Sequence, residues 1–333
     1  MTAPYPWLAQ AWKILHSESN AQQMAHAYLL RGRSGLGKSE LASTFANFLV
    51  CEAQSAGEAC GACRGCLLRL SGNHPDLALV KPSEEGKNIQ IEQIRDLIDF
   101  FSLRPHFGTR KIALILTAEL LNNAAANALL KILEEPPPGG ILFLVSHAPA
   151  PVPATILSRC RRLELRQPED STVIRWLEEQ NLDHDSGHTP IDQRSFAGGP
   201  LEMRAVLRGE SEPCFDVLAE TLWSITEQAI TPVQAVERLR MFPADEVHLA
   251  LESLLASVLQ LLFGAGIKPL QANKVTSARL QRMANHLNSR TVFGFLDRLR
   301  ESREVLRKSA GIRGNEALET IFLHWGSLKK EDL

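Results

Sequence analysis

The sequence predicts an α/β core on a parallel five-stranded sheet with an inserted four-cysteine module, followed by a small helical domain and an all-α C-terminal domain. Three observations predict it. The first half carries short apolar runs separated by helical stretches; the second half loses its strand signals and becomes rich in Leu and Ala; and four of the six cysteines crowd into residues 51–66. A chain of 333 residues exceeds one ordinary hydrophobic core, so two or three domains are expected from length, and the change of pattern along the chain divides it at 1–166, 167–208 and 209–333.

The apolar runs are Ala27 to Arg31, Asp76 to Lys81, Lys111 to Thr117, Gly140 to Ser146 and Arg161 to Leu165. They are near-continuous and not alternating, the pattern of parallel strands covered on both faces. Between the third and fourth, Leu121, Ala125, Ala128, Leu129 and Ile132 recur at helical spacing, and Pro136-Pro137-Pro138 ends that helix. Proline has no N–H to continue the ladder. Residues 167–208 read as helical around a polar loop, DHDSGHTPID, whose His184 and His188 are solvated. From Gly209 onward helical segments break at Thr231-Pro232, Phe242-Pro243, Gly264-Ala265-Gly266 and Gly311 to Gly314.

Composition excludes several classes of function. A net charge of -2 and a pI near 6.6 provide no general field for a phosphate backbone, so any nucleic-acid contact must be local or shared. The opening MTAPYPWLAQAWKIL lacks a secretory signal pattern. The most apolar run, Ser253 to Ile267, is interrupted by Gln260 and falls short of the ~20 residues that span a bilayer. A cytoplasmic protein with no membrane partner is expected, and in a reducing compartment clustered cysteines point to metal rather than to disulfides.

Directly after the first strand comes GRSGLGKS, Gly32 to Ser39, which satisfies G-x-x-x-x-G-K-[ST] in full. Gly32, Gly35 and Gly37 let the backbone N–H groups curl toward a phosphate, Lys38 reaches the β and γ phosphates, and Ser39 is placed to hold Mg2+. ATP or ADP is the ligand this loop suits; the competing reading is a loop that keeps the shape and has lost the nucleotide. Turnover needs more. An ATPase of this kind places acids at the end of a later strand, and KIALILTAEL offers Leu116 and Thr117 there, with Glu119 farther on and not assigned the missing role.

Cys51, Cys60, Cys63 and Cys66 give C-x8-C-x2-C-x2-C, a spacing that lets four thiolates converge on one tetrahedral Zn2+. With all four positions taken by thiolate, the metal is structural. His74, in GNHPD, is the alternative ligand, although the turn into the second strand claims it first. A redox role for Cys63 and Cys66 alone would leave Cys51 and Cys60 unexplained.

The segments HAYLLRG, NAAANALLKILEEPP, TILSRC and ANHLNSRTVFGFLDRLRESREVLRKSAGIRGNEALETIFLHW, with the cysteine spacing, resemble the delta-prime family of bacterial DNA polymerase III clamp-loader subunits, which are AAA+ proteins. The resemblance spans nearly the whole chain. It implies an AAA+ core, a helical lid and a helical collar that joins five subunits, motor gamma/tau and delta among them, into an open ring that loads the sliding clamp onto primed DNA. It also implies that Ser158, Arg159 and Cys160 form a motif whose arginine acts in trans, as a finger in the ATP site of a neighbouring motor subunit; a surface salt-bridge residue is the bland alternative. This chain would then be a component of the polymerase holoenzyme without ATPase or polymerase activity of its own. Collar helices, at the leucines of Val247 to Phe263 and at Glu316 to Trp325, would bury apolar faces against sister subunits, and a purely intramolecular core would carry the same pattern. Where motor subunits carry a lid arginine, this chain reads Gly198-Gly199-Pro200-Leu201, with Arg204 about one turn on. The rival reading is an ATP-hydrolysing motor subunit, or another P-loop ATPase, favoured by the intact loop. A zinc-dependent DNA-binding module would need basic residues beside the cysteines, and only Arg64 and Arg69 stand there.

Overall fold

The computed structural model describes residues 3–54, 57–83, 88–147, 152–180, 199–208, 210, 214–242, 244–264, 274–308 and 314–326. The chain divides into two units, Met1–Gln167 and Pro168–Leu333. In the first, the apolar runs form β1 (Ala27–Gly32), β2 (Leu77–Val80), β3 (Lys111–Ile115), β4 (Gly140–His147) and β5 (Arg161–Glu164), all paired in parallel in the order β2-β3-β4-β1-β5. β3 is shorter than the sequence predicts, because Leu116 and Thr117 leave the strand and lead into a 3-10 turn at Ala118–Leu120.

Why the strands read as continuous apolar runs is plain from their two faces. On one face Ala27, Leu29, Ala113, Ile115, Leu142 and Leu144 pack against helices α4 (Ile91–Ser102) and α5 (Asn123–Glu134). On the other, Tyr28, Leu30, Ile112, Leu114, Phe143 and Val145 meet α1 (Ala9–Asn20) and α2 (Lys38–Leu49) through Trp12, Leu15 and Phe45. Each such large side chain, fully buried, is worth about 1.5–3 kcal/mol. The short helices α3 (Arg64–Leu70) and α6 (Ala154–Leu157) complete this unit.

Local chemistry fixes the ends of α5. The Asn122 side chain accepts from Ala125 N at 2.7 Å, satisfying one of the free N–H groups of the first turn. At the other end the chain leaves the helix at Glu135, just before the three prolines. Beneath the sheet edge, buried Asp76 lies 3.6 Å from Lys111 Nζ and accepts from His106 N and Phe107 N. The Lys111 ammonium also donates to Pro75 O at 3.1 Å, so the pair is hydrogen-bonded on both sides, which a buried charge requires.

Among the described residues of the second unit the regular elements are all helices: α7 (Asp170–Glu178), α8 (Pro200–Leu207), α9 (Cys214–Thr226), α10 (Pro232–Leu239), α11 (Ala244–Leu262), α12 (Lys274–His286), α13 (Ser289–Lys308) and α14 (Gly314–Gly326). The break expected at Thr231-Pro232 is a helix start. Thr231 and Gln234 form a reciprocal capping box, with Pro232 in the first turn, where its missing N–H costs nothing. Val247, Leu251, Leu254, Leu255 and Val258 of α11 are buried inside this unit with Leu222, Leu299 and Phe322. The unit's own core therefore accounts for Leu251, Leu254 and Leu255, whereas Leu249, Leu259, Leu261 and Leu262 are half-buried against it and Phe263 is 69% exposed. Trp325 ties α14 to α9, its Nε1 donating to Leu222 O at 3.2 Å. The polar loop with His184 and His188, and Gly198, lie outside the described residues. No helix among the described residues is long and apolar enough to cross a membrane.

Candidate functional site: a glycine loop, a four-cysteine centre and an exposed arginine

The loop between β1 and α2 has the backbone its glycines allow. Gly35 and Gly37 sit at φ 70° and 80°, left-handed values that favour glycine. A Cβ at Gly37 would also lie 2.4 Å from the Tyr5 ring. Tyr5 stacks on Trp7 with centroids 5.2 Å apart, and Trp7 Nε1 donates to Leu36 O at 2.9 Å, so the segment before α1 packs on the loop. Lys38 is buried, its ammonium turned back onto Gly32 O at 2.9 Å and Arg33 O at 2.5 Å. The loop runs directly into a 12-residue helix, the arrangement in which backbone N–H groups at a helix start can face an anion.

Parallel pairing sets Gly32 of β1 beside His147 at the end of β4, a neighbour the sequence reading missed. The signal was available, since ligand-side residues gather at the carboxyl ends of parallel strands. His147 N donates to Glu119 Oε1 at 3.3 Å, so Glu119 is turned to β4. Burial, and then the Lys38 charge, depresses the imidazole from 6.5 to about 4. His147 is therefore neutral at pH 7, and its 4.0 Å approach to Glu119 Oε1 is not an ion pair there. The unfolded chain binds this proton more readily than the folded chain does. His147's contribution to stability is complete above pH 6.5 and is lost as pH falls toward about 4. Urea midpoints at pH 7 and pH 5 should show this loss, and His147→Asn should lose less between the two pH values than the natural chain.

The four cysteines meet. Their sulfurs all lie within 4.8 Å of one another, with Cys51–Cys63 and Cys60–Cys66 each at 3.9 Å. A tetrahedron of thiolates about 2.3 Å from a central zinc has S···S edges of about 3.8 Å, so the set fits the ion. Cys60 N points at Cys51 Sγ (3.2 Å), Cys63 N at Cys60 Sγ (3.3 Å) and Cys66 N at Cys63 Sγ (3.4 Å), contacts that favour thiolates. The Cys66 N–H lowers the Cys63 thiol to about 6, whereas burial raises Cys51. Gly65 is essential to the fit: a Cβ there would stand 2.9 Å from Val50 O, with Glu52 Oε1 and His74 Nε2 just beyond. His74 is not in the cluster; its Nδ1 accepts from Asp76 N at 3.1 Å, as the turn reading requires. Arg64 lies over the Phe107 ring at 5.2 Å.

Arg159 follows α6 on a surface turn, with its side chain 34% exposed. Nη1 donates to Thr155 O at 2.9 Å and Ser158 Oγ at 3.2 Å, and Nη2 meets Glu134 Oε1 at 2.7 Å. Cys160 is buried beside it, and burial raises its thiol to about 12. The sequence reading did not find Glu134 as a partner, because the pair is brought together only by the packing of α5 on α6. In the second unit Leu201 stands in the first turn of α8, and Arg204 lies over the Trp176 ring at 5.5 Å.

Residues 7–169 match the family described as DNA polymerase III, delta subunit. The DNA polymerase III subunit delta-prime of Pseudomonas aeruginosa is 31% identical over 97% of this chain and 98% of its own length. That of Escherichia coli is 30% identical over 96% of this chain and 94% of its own. Among solved structures, a DNA polymerase III gamma-subunit-related protein from Thermotoga maritima has a TM-score of 0.42 at 20% identity, covering 96% of this chain and 98% of that one.

Proposed function

The chain belongs to the DNA polymerase III delta-prime family, and from that premise we propose that it is a non-hydrolysing stator of the clamp loader that supplies Arg159 in trans. Residues 1–166 serve as an AAA+ core with its zinc module, 167–208 as a lid and 209–333 as a collar, in a five-subunit cytoplasmic ring with motor gamma/tau and delta. Through the ring it acts on the sliding clamp and primed DNA.

The observation that carries the proposal is the end of β3. Leu116 and Thr117 stand where a P-loop ATPase keeps the acids that hold magnesium and orient water, and the nearest carboxylate, Glu119, is engaged by the His147 N–H. Gly32, Gly35, Gly37, Lys38 and Ser39 would hold ATP or ADP, with Mg2+ at Ser39, yet Leu116 and Thr117 bring no carboxylate to turn the nucleotide over. Arg159 offers a neighbour a planar cationic fork matched to phosphate oxygens, half-buried on a surface turn and able to stabilise charge at that neighbour's γ-phosphate. Cys51, Cys60, Cys63 and Cys66 would hold Zn2+ as a staple, since four thiolates leave no coordination position open for chemistry.

The intact loop favours one rival, a motor subunit with its own turnover. Clamp- and DNA-stimulated ATP hydrolysis by the reconstituted loader separates the two. Lys38→Ala in this subunit alone should leave turnover within about two-fold of the natural loader; abolished turnover would make the chain a motor. Leu116→Asp with Thr117→Glu should create hydrolysis in a chain that has none.

A further inference from the structure

The Arg159 guanidinium is held by two kinds of acceptor. Thr155 O and Ser158 Oγ belong to its own turn and take Nη1. Glu134 Oε1, 2.7 Å from Nη2, comes from the last residue of α5. The carboxylate that meets it therefore belongs to the C-terminal end of a 12-residue helix, an end that carries negative partial charge of its own.

The two holds differ in how easily they are exchanged. Both partners of the ion pair face water, with side chains 34% and 50% exposed, and such pairs shift an equilibrium by at most about five-fold. A carboxylate and a phosphate present the same acceptor chemistry to a guanidinium nitrogen. A phosphate oxygen arriving at Nη2 would replace Glu134 like for like, while the Nη1 contacts to Thr155 and Ser158 kept the guanidinium oriented.

We infer that Glu134 is a positioning residue: an internal counter-ion that holds Arg159 ready in the absence of a facing phosphate and competes with the γ-phosphate of the neighbouring site for Nη2. The inference rests on the trans-acting role of Arg159 proposed above. It gives the Glu of the KILEEPP helix end a role in setting how readily the neighbour's ATP engages the arginine.

The test is ATP turnover by the reconstituted loader with clamp and primed DNA, across ATP concentration, for Glu134→Gln, Arg159→Ala and the double variant. Glu134→Gln removes the competing charge at nearly constant shape on an exposed site. It should lower the apparent KM for ATP about two- to five-fold, with kcat within about two-fold, and the shift should vanish in the Arg159→Ala background, as expected when two residues act through one contact. Glu134→Asp, which keeps the charge, should restore part of the natural KM. An unchanged or raised KM in Glu134→Gln, or an equal shift with and without Arg159, overturns the inference while leaving the finger in place. If Arg159→Ala itself changes nothing, the underlying role has failed instead.

Discussion

Arg159→Ala in this subunit alone is expected to slow hydrolysis at the motor site it faces by about 10³-fold or more, the range over which fingers of this kind act. The effect arises in trans, so the purified chain should show no change in any activity of its own. Little stability is at stake: the side chain is half-buried and its ion pair with Glu134 lies at the surface, where such pairs contribute about 1 kcal/mol or less. Arg159→Lys separates charge from shape. An ammonium brings one point charge without the planar fork, so partial recovery is expected and not full rescue. Phosphate release in a single loading round, with motor sites resolved individually, is the measurement. Natural turnover at every site would leave Arg159 as the surface salt-bridge residue of the bland reading, with Glu134 as its partner.

Cys60→Ser is expected to take bound zinc from about one ion per chain to none, the largest change a single substitution here should produce. Structural zinc in small thiolate sites contributes about 10–16 kcal/mol of apparent binding free energy, which becomes folding free energy for the segment it staples. That segment has few other resources: Cys60 is exposed, and among the described residues of the module only Cys51, Gly65 and Cys66 are buried. The damage should stay local, because the two hydrophobic clusters that flank the sheet draw none of the described residues of 51–66. Metal analysis should therefore read zero while limited proteolysis cuts within 52–65 and the sheet persists. A metal-free chain in which 52–65 stays protected would remove zinc from the account.

Much of the core was legible because burial on both faces writes itself directly into strand composition. The runs beginning at Ala27, Lys111, Gly140 and Arg161 start where the strands do. The phosphate-type loop and the cysteine spacing were equally plain, since each is a local pattern in which the chemistry requires particular residues at short separation. What escaped was contact across the fold. Nothing in NAAANALLKILEEPP states that Glu134 will face Arg159, and nothing in the prediction of β4 named His147 as the neighbour of Gly32; both follow from register and helix packing. The α11 leucines show a different kind of limit, for a helix buried in its own bundle and one buried against a partner have the same periodicity.

The sheet's outermost strands, β2 and β5, are only four residues long each. β5 also turns charge outward, with Arg161, Arg162 and Glu164 exposed, and Arg161 is held by Glu18 of α1. An outer strand this brief and this charged offers a poor template to a stray β-segment, whether from a second copy or from an unfinished chain. A chain protected in this way can accumulate at high concentration without adding strands edge to edge, so any association is left to surfaces with a defined shape.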